Sequence, residues 1–246
     1  MFRHQGKSRT LKHNLQIASI LSFVAGMVNV TGYLAIQQLT TNVTGHFALF
    51  IFDFKNFEFW QSAVFLLYIF SFLFGSFVSG VLVERYKENK KLNVFVLPTL
   101  LEVLIFLEVI LLYNFTDIQF PHIIACSLLF AMGLQNSFVT KISNAVVRTT
   151  HLTGLFTDLG IELSQLFFPK SHPNAHKIKA TIKLRIYIIS FFFLGGITAG
   201  YLYSGLGLKT NTLIFAAVIL LGGLFYDEFK FQWILAQRKR RHSKRK

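Results

Sequence analysis

Two groups of polar residues interrupt an otherwise apolar chain. The first holds Asn29 and, further on, Thr44, Gly45 and His46; the second holds Gln135, Asn136, Thr153 and Gly154. An amide side chain in an apolar helix has to find a polar partner, so Asn29, Gln135 and Asn136 are expected to face the inside of a helix bundle. A helix starting at a Thr-Gly pair gains a hydroxyl cap, and glycine lets another backbone or a solute come close. The amino end of such a helix presents N–H donors and partial positive charge, suited to an anion or carboxylate. The chemistry these residues offer is binding of a small polar or anionic solute. Thr40, Thr41, Asn42, Thr149, Thr150 and His151 flank them as further ligands. Plain capping of two short helices, and amides that tie helices together, account for the same residues without a solute. Glu102 is an ionisable group near the middle of an apolar run, which makes it a proton-coupling candidate; Asp158 is counted with it. Glu108 lies about 120° around the helix from Glu102, so the two form no acid/base dyad.

His46 and Asp53, and His151 and Asp158, are each seven residues apart. The two pairs are not equivalent under the repeat described below, and too few ligands accompany them for a metal site. No metal and no cofactor is expected. Cys126 is the single cysteine, which excludes an intramolecular disulfide. No phosphate-binding Gly-rich loop, GxSxG elbow or HExxH pair is present, so no catalytic residue is assigned.

The elements that must position these residues follow from composition. Of 246 residues, 53% are hydrophobic and 29 are Phe, yet the net charge is +14. Only 15% are charged, against the ~25% of a soluble domain. A basic nucleic-acid binder would spread its charge through a more polar chain. Apolar blocks with charge between them describe a membrane protein. Residues 15–39, 60–83, 92–113, 118–140, 186–208 and 210–226 are long and apolar enough to cross as helices. The first follows a basic segment but is longer than a signal-peptide core and is read as a retained helix. With six spans and both termini cytoplasmic, 23 of 25 basic residues fall on the cytoplasmic side, as the positive-inside rule requires. The expected organisation is a basic tail over 1–14, one transmembrane domain over 15–230 and a basic tail over 231–246. The tail RKRRHSKRK reads as an anchor on anionic lipid headgroups rather than a nucleic-acid contact.

Thr44-Gly45 and Thr153-Gly154 are 109 residues apart, and Asp53 and Glu162 share that offset. Gly26 and Asn29 likewise resemble Gly133 and Asn136. Each half reads as span, Thr-Gly segment, span, span, over about 15–113 and 118–227. Three spans per half make the second copy inverted. The fold class expected is an all-α membrane protein of two inverted three-helix repeats, each with a short re-entrant or interfacial helix. Ser71, Gly75 and Ser79, Ser76 and Gly80, and Gly196 and Gly200 recur at four-residue spacing, which suits close helix packing or a homodimer seam.

The stretches AGMVNVTGYLAIQQLTTNVTGHFALF and AMGLQNSFVTKISNAVVRTTHLTGLFTDLG resemble the YoaK-like family of bacterial membrane proteins, defined by a domain of unknown function. The second is the stronger match, through residues 131–136, Arg148, Thr149, Thr150, Leu152, Thr153, Gly154 and Asp158. The first departs: Asn29 stands where the family usually has Asp, and His46 where it usually has Asn. The resemblance implies a six-helix protein of the bacterial inner membrane and no established activity. The residues themselves point to a small transporter for a polar or anionic solute, possible in proton-coupled form through Glu102. Two alternatives stand beside it. One is a membrane enzyme acting on a lipid or polyprenyl head group through His46, His151, Asp158 or Glu162; the other is a non-transporting scaffold.

Overall fold

A computed structural model describes residues 10–86, 95–115, 120–168 and 174–243. Arg3, Lys7, Arg9, Lys87, Lys90, Lys91, Lys170 and the expected loop at 169–173 lie outside these residues. The described chain is helical, with no strand. The helices are α1 (Leu11–Ile36), α2 (Val43–Lys55), α3 (Phe59–Tyr86), α4 (Val96–Phe115), α5 (Pro121–Ser143), α6 (Leu152–Gln165), α7 (Ala175–Gly200) and α8 (Thr212–Ser243). A π-helical turn, Tyr201–Gly205, prolongs α7, and a 3₁₀ turn, Lys209–Asn211, leads into α8.

Six of these helices are long and apolar enough to cross a membrane: α1, α3, α4, α5, α7 with its π turn, and the segment Lys209–Tyr226 that opens α8. At 13 and 14 residues, α2 and α6 are too short. The six-span count expected from composition therefore matches, while the helix boundaries move, three of them with structural consequences. α1 stops at Ile36 rather than 39 because Gln37 turns left-handed (φ 54°), its N–H closing on the Tyr33 carbonyl. α7 begins at Ala175 rather than 186, so Lys177, Lys179, Lys183 and Arg185 ride on a helix instead of a loop. α8 runs on to Ser243, so most of the expected C-terminal tail is helical.

Large apolar side chains cover the outside of the bundle. Phe70, Phe74, Phe77, Leu104, Phe193 and Val218 are all more than half exposed. A surface of this kind is solvated by lipid tails, not by water.

Inside, α1 packs along α7 and α3 packs along α5 more extensively than any other pair. Both pairs are parallel: Tyr203 reaches the Leu34 carbonyl as Gly195 reaches Phe23, and Ser76 reaches the Gly133 carbonyl as Tyr68 reaches His122. Without a hydrophobic force between helices in lipid, backbones must approach closely to gain contact. Reciprocal glycines allow it. A Cβ at Gly26 would stand 2.0 Å from the Phe192 carbonyl oxygen, and one at Gly195 would stand 2.0 Å from that of Phe23. Gly75 and Gly133 meet the Phe130 and Phe72 carbonyls at 2.1 Å in the same sense. The small-residue spacing in α3 and α7 is thus used within the chain.

We expect Gly26→Ala and Gly133→Ala each to cost about 1–3 kcal/mol or more, because backbone cannot yield as a side chain would. Gly160→Ala, with nothing within 4 Å of its Cβ position, should be neutral or slightly stabilising in its helix. Thermal unfolding of the purified protein in detergent measures all three.

Candidate functional site

The chain folds back on itself after α1 and again after α5. The first reversal passes through the left-handed Gln37, the second through left-handed Asn144 (φ 52°) and Ala145 (φ 62°). Each returning segment is then pinned to the helix it left. Thr41 Oγ1 donates to Asn29 Oδ1 at 2.8 Å, and Thr150 Oγ1 donates to Asn136 Oδ1 at 2.9 Å. Each asparagine lies seven residues before its helix ends, at Ile36 and Ser143. At 1.5 Å per residue, both segments therefore run back along the helix they left by about 10 Å.

The preceding threonines anchor deeper. Thr40 donates to the Val28 carbonyl at 3.2 Å. Thr149 donates to Gln135 Oε1 at 3.4 Å, and Gln135 Nε2 donates to Glu102 Oε1 at 3.1 Å. Thr149, Gln135 and Glu102 are fully buried, and Glu102 Oε2 has no partner among the described residues. This chain of polar groups links α4, α5 and the start of α6.

The short helices begin two residues earlier than expected, at Val43 and Leu152, so Thr44 and Thr153 sit inside the first turn and do not cap it. Asn42 caps α2 instead, accepting from the Gly45 N–H at 3.1 Å. His151 occupies the same place before α6 but makes no side-chain cap bond; its ring lies across Gly154, 2.6 Å from where a Cβ would be.

Both helix starts open on one cavity of about 880 Å³. Its wall contains Asn29, Thr41, Thr44 and Gly45 from the first half and Asn136, Thr150, His151 and Thr153 from the second, closed by Phe72 and Phe192. A second cavity of about 290 Å³ lies between α6 and α7, lined by His151, Gly154, Asp158 and Arg185. Arg148 borders both.

Of the residues singled out in the sequence, Asn29, Thr44, Gly45, Asn136 and Thr153 line the larger cavity, and Gln135 lies beneath it against Glu102. Gly154 and Asp158 belong to the smaller one. His46 points elsewhere: its Nε2–H donates to the Leu39 carbonyl at 2.7 Å, and its ring packs against Phe65 and Tyr68 at 1% exposure. Asp158 is half exposed and pairs with Arg185 Nη1 at 2.9 Å. The same guanidinium holds Glu162 through two bonds of 2.8 and 2.9 Å, a fork geometry that fixes α6 on α7. Arg185, Arg148, Phe72 and Phe192 were not read as site residues. The two phenylalanines carry a signal in hindsight, being 120 residues apart, as are Gly75 and Gly195.

A lipid-clad bundle of six spanning and two short helices defines an integral membrane protein. Residues 17–226 match the family described as "Protein of unknown function (DUF1275)", and the chain belongs to that family. It is 28% identical over 162 residues to the UPF0700 transmembrane protein YoaK of Bacillus subtilis (strain 168), covering 63% of this chain and 69% of that one. No solved structure matches.

Two substitutions test the geometry. Glu102→Leu strips Gln135 Nε2 of its acceptor and should lower stability by about 1–3 kcal/mol, whereas Glu102→Gln keeps an acceptor and should cost less; apparent Tm in detergent reads both. Arg185→Gln removes the fork and should raise hydrogen–deuterium exchange across Leu152–Gln165 while leaving α1 protected.

Proposed function

We propose that this protein is a small transporter of the bacterial cytoplasmic membrane, built from two inverted repeats and carrying a small polar solute through the larger cavity. The observation that carries the reading is the cavity itself: two helix starts, distant in sequence, face one polar space. Solute sites between broken or short helices near the midplane are a recurring plan of such transporters.

Several features support the inverted repeat. The most extensive helix pairings are preserved when α1 to α4 are exchanged for α5 to α8: α1 with α7 becomes α5 with α3, and α2 with α3 becomes α6 with α7. The cavity wall pairs with itself in the same exchange, Asn29 with Asn136, Thr41 with Thr150, Thr44 with Thr153 and Phe72 with Phe192. Gly32 of α1 meets Leu128 of α5, while Asn29 and Asn136 share the cavity; the two helices cross in opposite senses, as inversion demands. The re-entrant reading of the short helices draws on their outer faces. Phe47, Ile51, Phe52 and Phe54 of α2 are exposed while His46 and Asp53 are buried. An apolar face turned outward suits lipid, where an interfacial helix would turn its polar face to water.

In this reading both termini are cytoplasmic, and the basic residues near them face anionic headgroups. Glu102, bonded through Gln135 to Thr149, couples a proton to the α6 segment in this reading. The enzymatic alternative is less well served, since His46 lies apart from the cavity that His151 lines.

The test uses Thr44→Cys and Thr153→Cys in a Cys126→Ser background, labelled with a membrane-impermeant thiol reagent in sealed vesicles of known orientation. Both cysteines should react from a common side, through the shared cavity. Reaction of each only from its own opposite side would sink the reading. In reconstituted vesicles, solute uptake by the wild type should fall roughly tenfold or more in Asn136→Ala, the loss of about one hydrogen bond's free energy.

A further inference from the structure

We infer that the solute is an anion, and that Arg148 is the residue that selects it. The inference deepens the transport reading and relies on it only for what the site is used for; the anion site is argued from its own geometry.

Lys141, Arg148 and Arg185 are the basic side chains nearest the two cavities, beside Lys177, Lys179 and Lys183 on the first turns of α7. Of the nearest three, two are spoken for: Lys141 Nζ pairs with Glu84 at 2.8 Å, and Arg185 pairs with Glu162 and Asp158. Arg148 has no ion pair among the described residues, yet it is not a loosely tethered surface charge. Val147 and Thr149 on either side of it are both fully buried. The Val147 N–H donates to Ser143 Oγ at 2.9 Å, and Thr149 is held by Gln135. The backbone is therefore fixed on both sides of an exposed guanidinium that borders both cavities.

Among the described residues, no Asp or Glu lines the larger cavity. The smaller one has Asp158, already occupied by Arg185. Donors accompany the cation. Asn29 spends its Oδ1 on Thr41 and leaves Nδ2 without a partner among the described residues. The first turn of α6, beside Arg148, lacks a side-chain cap, and its free N–H groups add partial positive charge. A site with one planar fork of donors, neutral hydroxyl and amide walls and no acid suits a small oxyanion such as a carboxylate. A cation would meet repulsion and no acidic ligand.

The test reads charge preference directly, without knowing the natural solute. Detergent-purified Cys126→Ser, Thr153→Cys protein is reacted separately with anionic 2-sulfonatoethyl methanethiosulfonate and cationic 2-(trimethylammonio)ethyl methanethiosulfonate. Each rate is divided by that for a small free thiol. The anionic reagent should react faster, and the ratio should fall about tenfold in Arg148→Gln, as expected for one nearby unit charge in a partly screened site. Arg148→Lys should keep most of the ratio; if Arg148→Gln is not monodisperse, Arg148→Met takes its place. Sodium acetate or sodium phosphate should slow labelling in the Arg148 protein where acetamide does not. Protection by acetate alone marks an organic carboxylate, and protection by phosphate alone marks an inorganic oxyanion. A ratio at or below one, a ratio unmoved by Arg148→Gln, or equal protection by acetamide would overturn the inference while leaving the common-side accessibility result untouched. Conversely, if Thr44→Cys and Thr153→Cys share no side, transport falls and a charge preference at Arg148 still stands.

Discussion

An asparagine amide inside an apolar helix has no water to turn to, and this chain meets that need twice with a threonine from the segment that follows. The bonds Asn29–Thr41 and Asn136–Thr150 draw the chain back by about two turns against the helix it has just left. Everything at the site follows from that return. It sets the depth at which α2 and α6 begin, brings their first turns to one cavity, and leaves their apolar faces outward. Helices of 13 and 14 residues could not span a bilayer, but they need not, because they start inside it in the proposed arrangement.

The returning segments need a rigid frame, and glycine supplies it. In α1–α7 and in α3–α5, each helix offers a glycine to the partner's backbone carbonyl. Backbone contact of this kind tolerates no added methyl group, so these four helices form two fixed parallel pairs. The short helices are held less evenly. α2 buries His46 and Asp53. In α6 only Leu155 is buried among the described residues, and the Arg185 fork supplies much of its hold on α7. The second cavity lies at this looser contact. The half with Arg148 and Arg185 also supplies Thr149 and Gln135, which reach across to Glu102 of the other half; there Val28 precedes Asn29 as Gln135 precedes Asn136, and Thr40 bonds to the Val28 backbone carbonyl instead. In the proposed repeat, the two halves thus differ in where their charge lies.

Much of the architecture is written locally. Apolar runs long enough to cross a bilayer, and basic residues between them, specify six spans because length and transfer free energy are properties of a segment alone. The Thr-Gly segments stood out for the same reason, being too polar and too short to span. Helix ends were less readable. α1 stops early because Gln37 adopts a left-handed conformation that its residue type does not announce, and α7 starts early because its basic first turns carry charge that masks a continuing helix.

By itself, then, the sequence determined the class, the number of spans, the two short helices and the polar residues worth watching. Only the tertiary structure decided how they combine, since contacts between residues on different helices leave no local trace. It set α1 beside α7, turned His46 away from the cavity, joined Glu102 to Gln135, and gave Asp158 to Arg185. It also moved Arg148 from a marker of membrane orientation to the wall of two cavities.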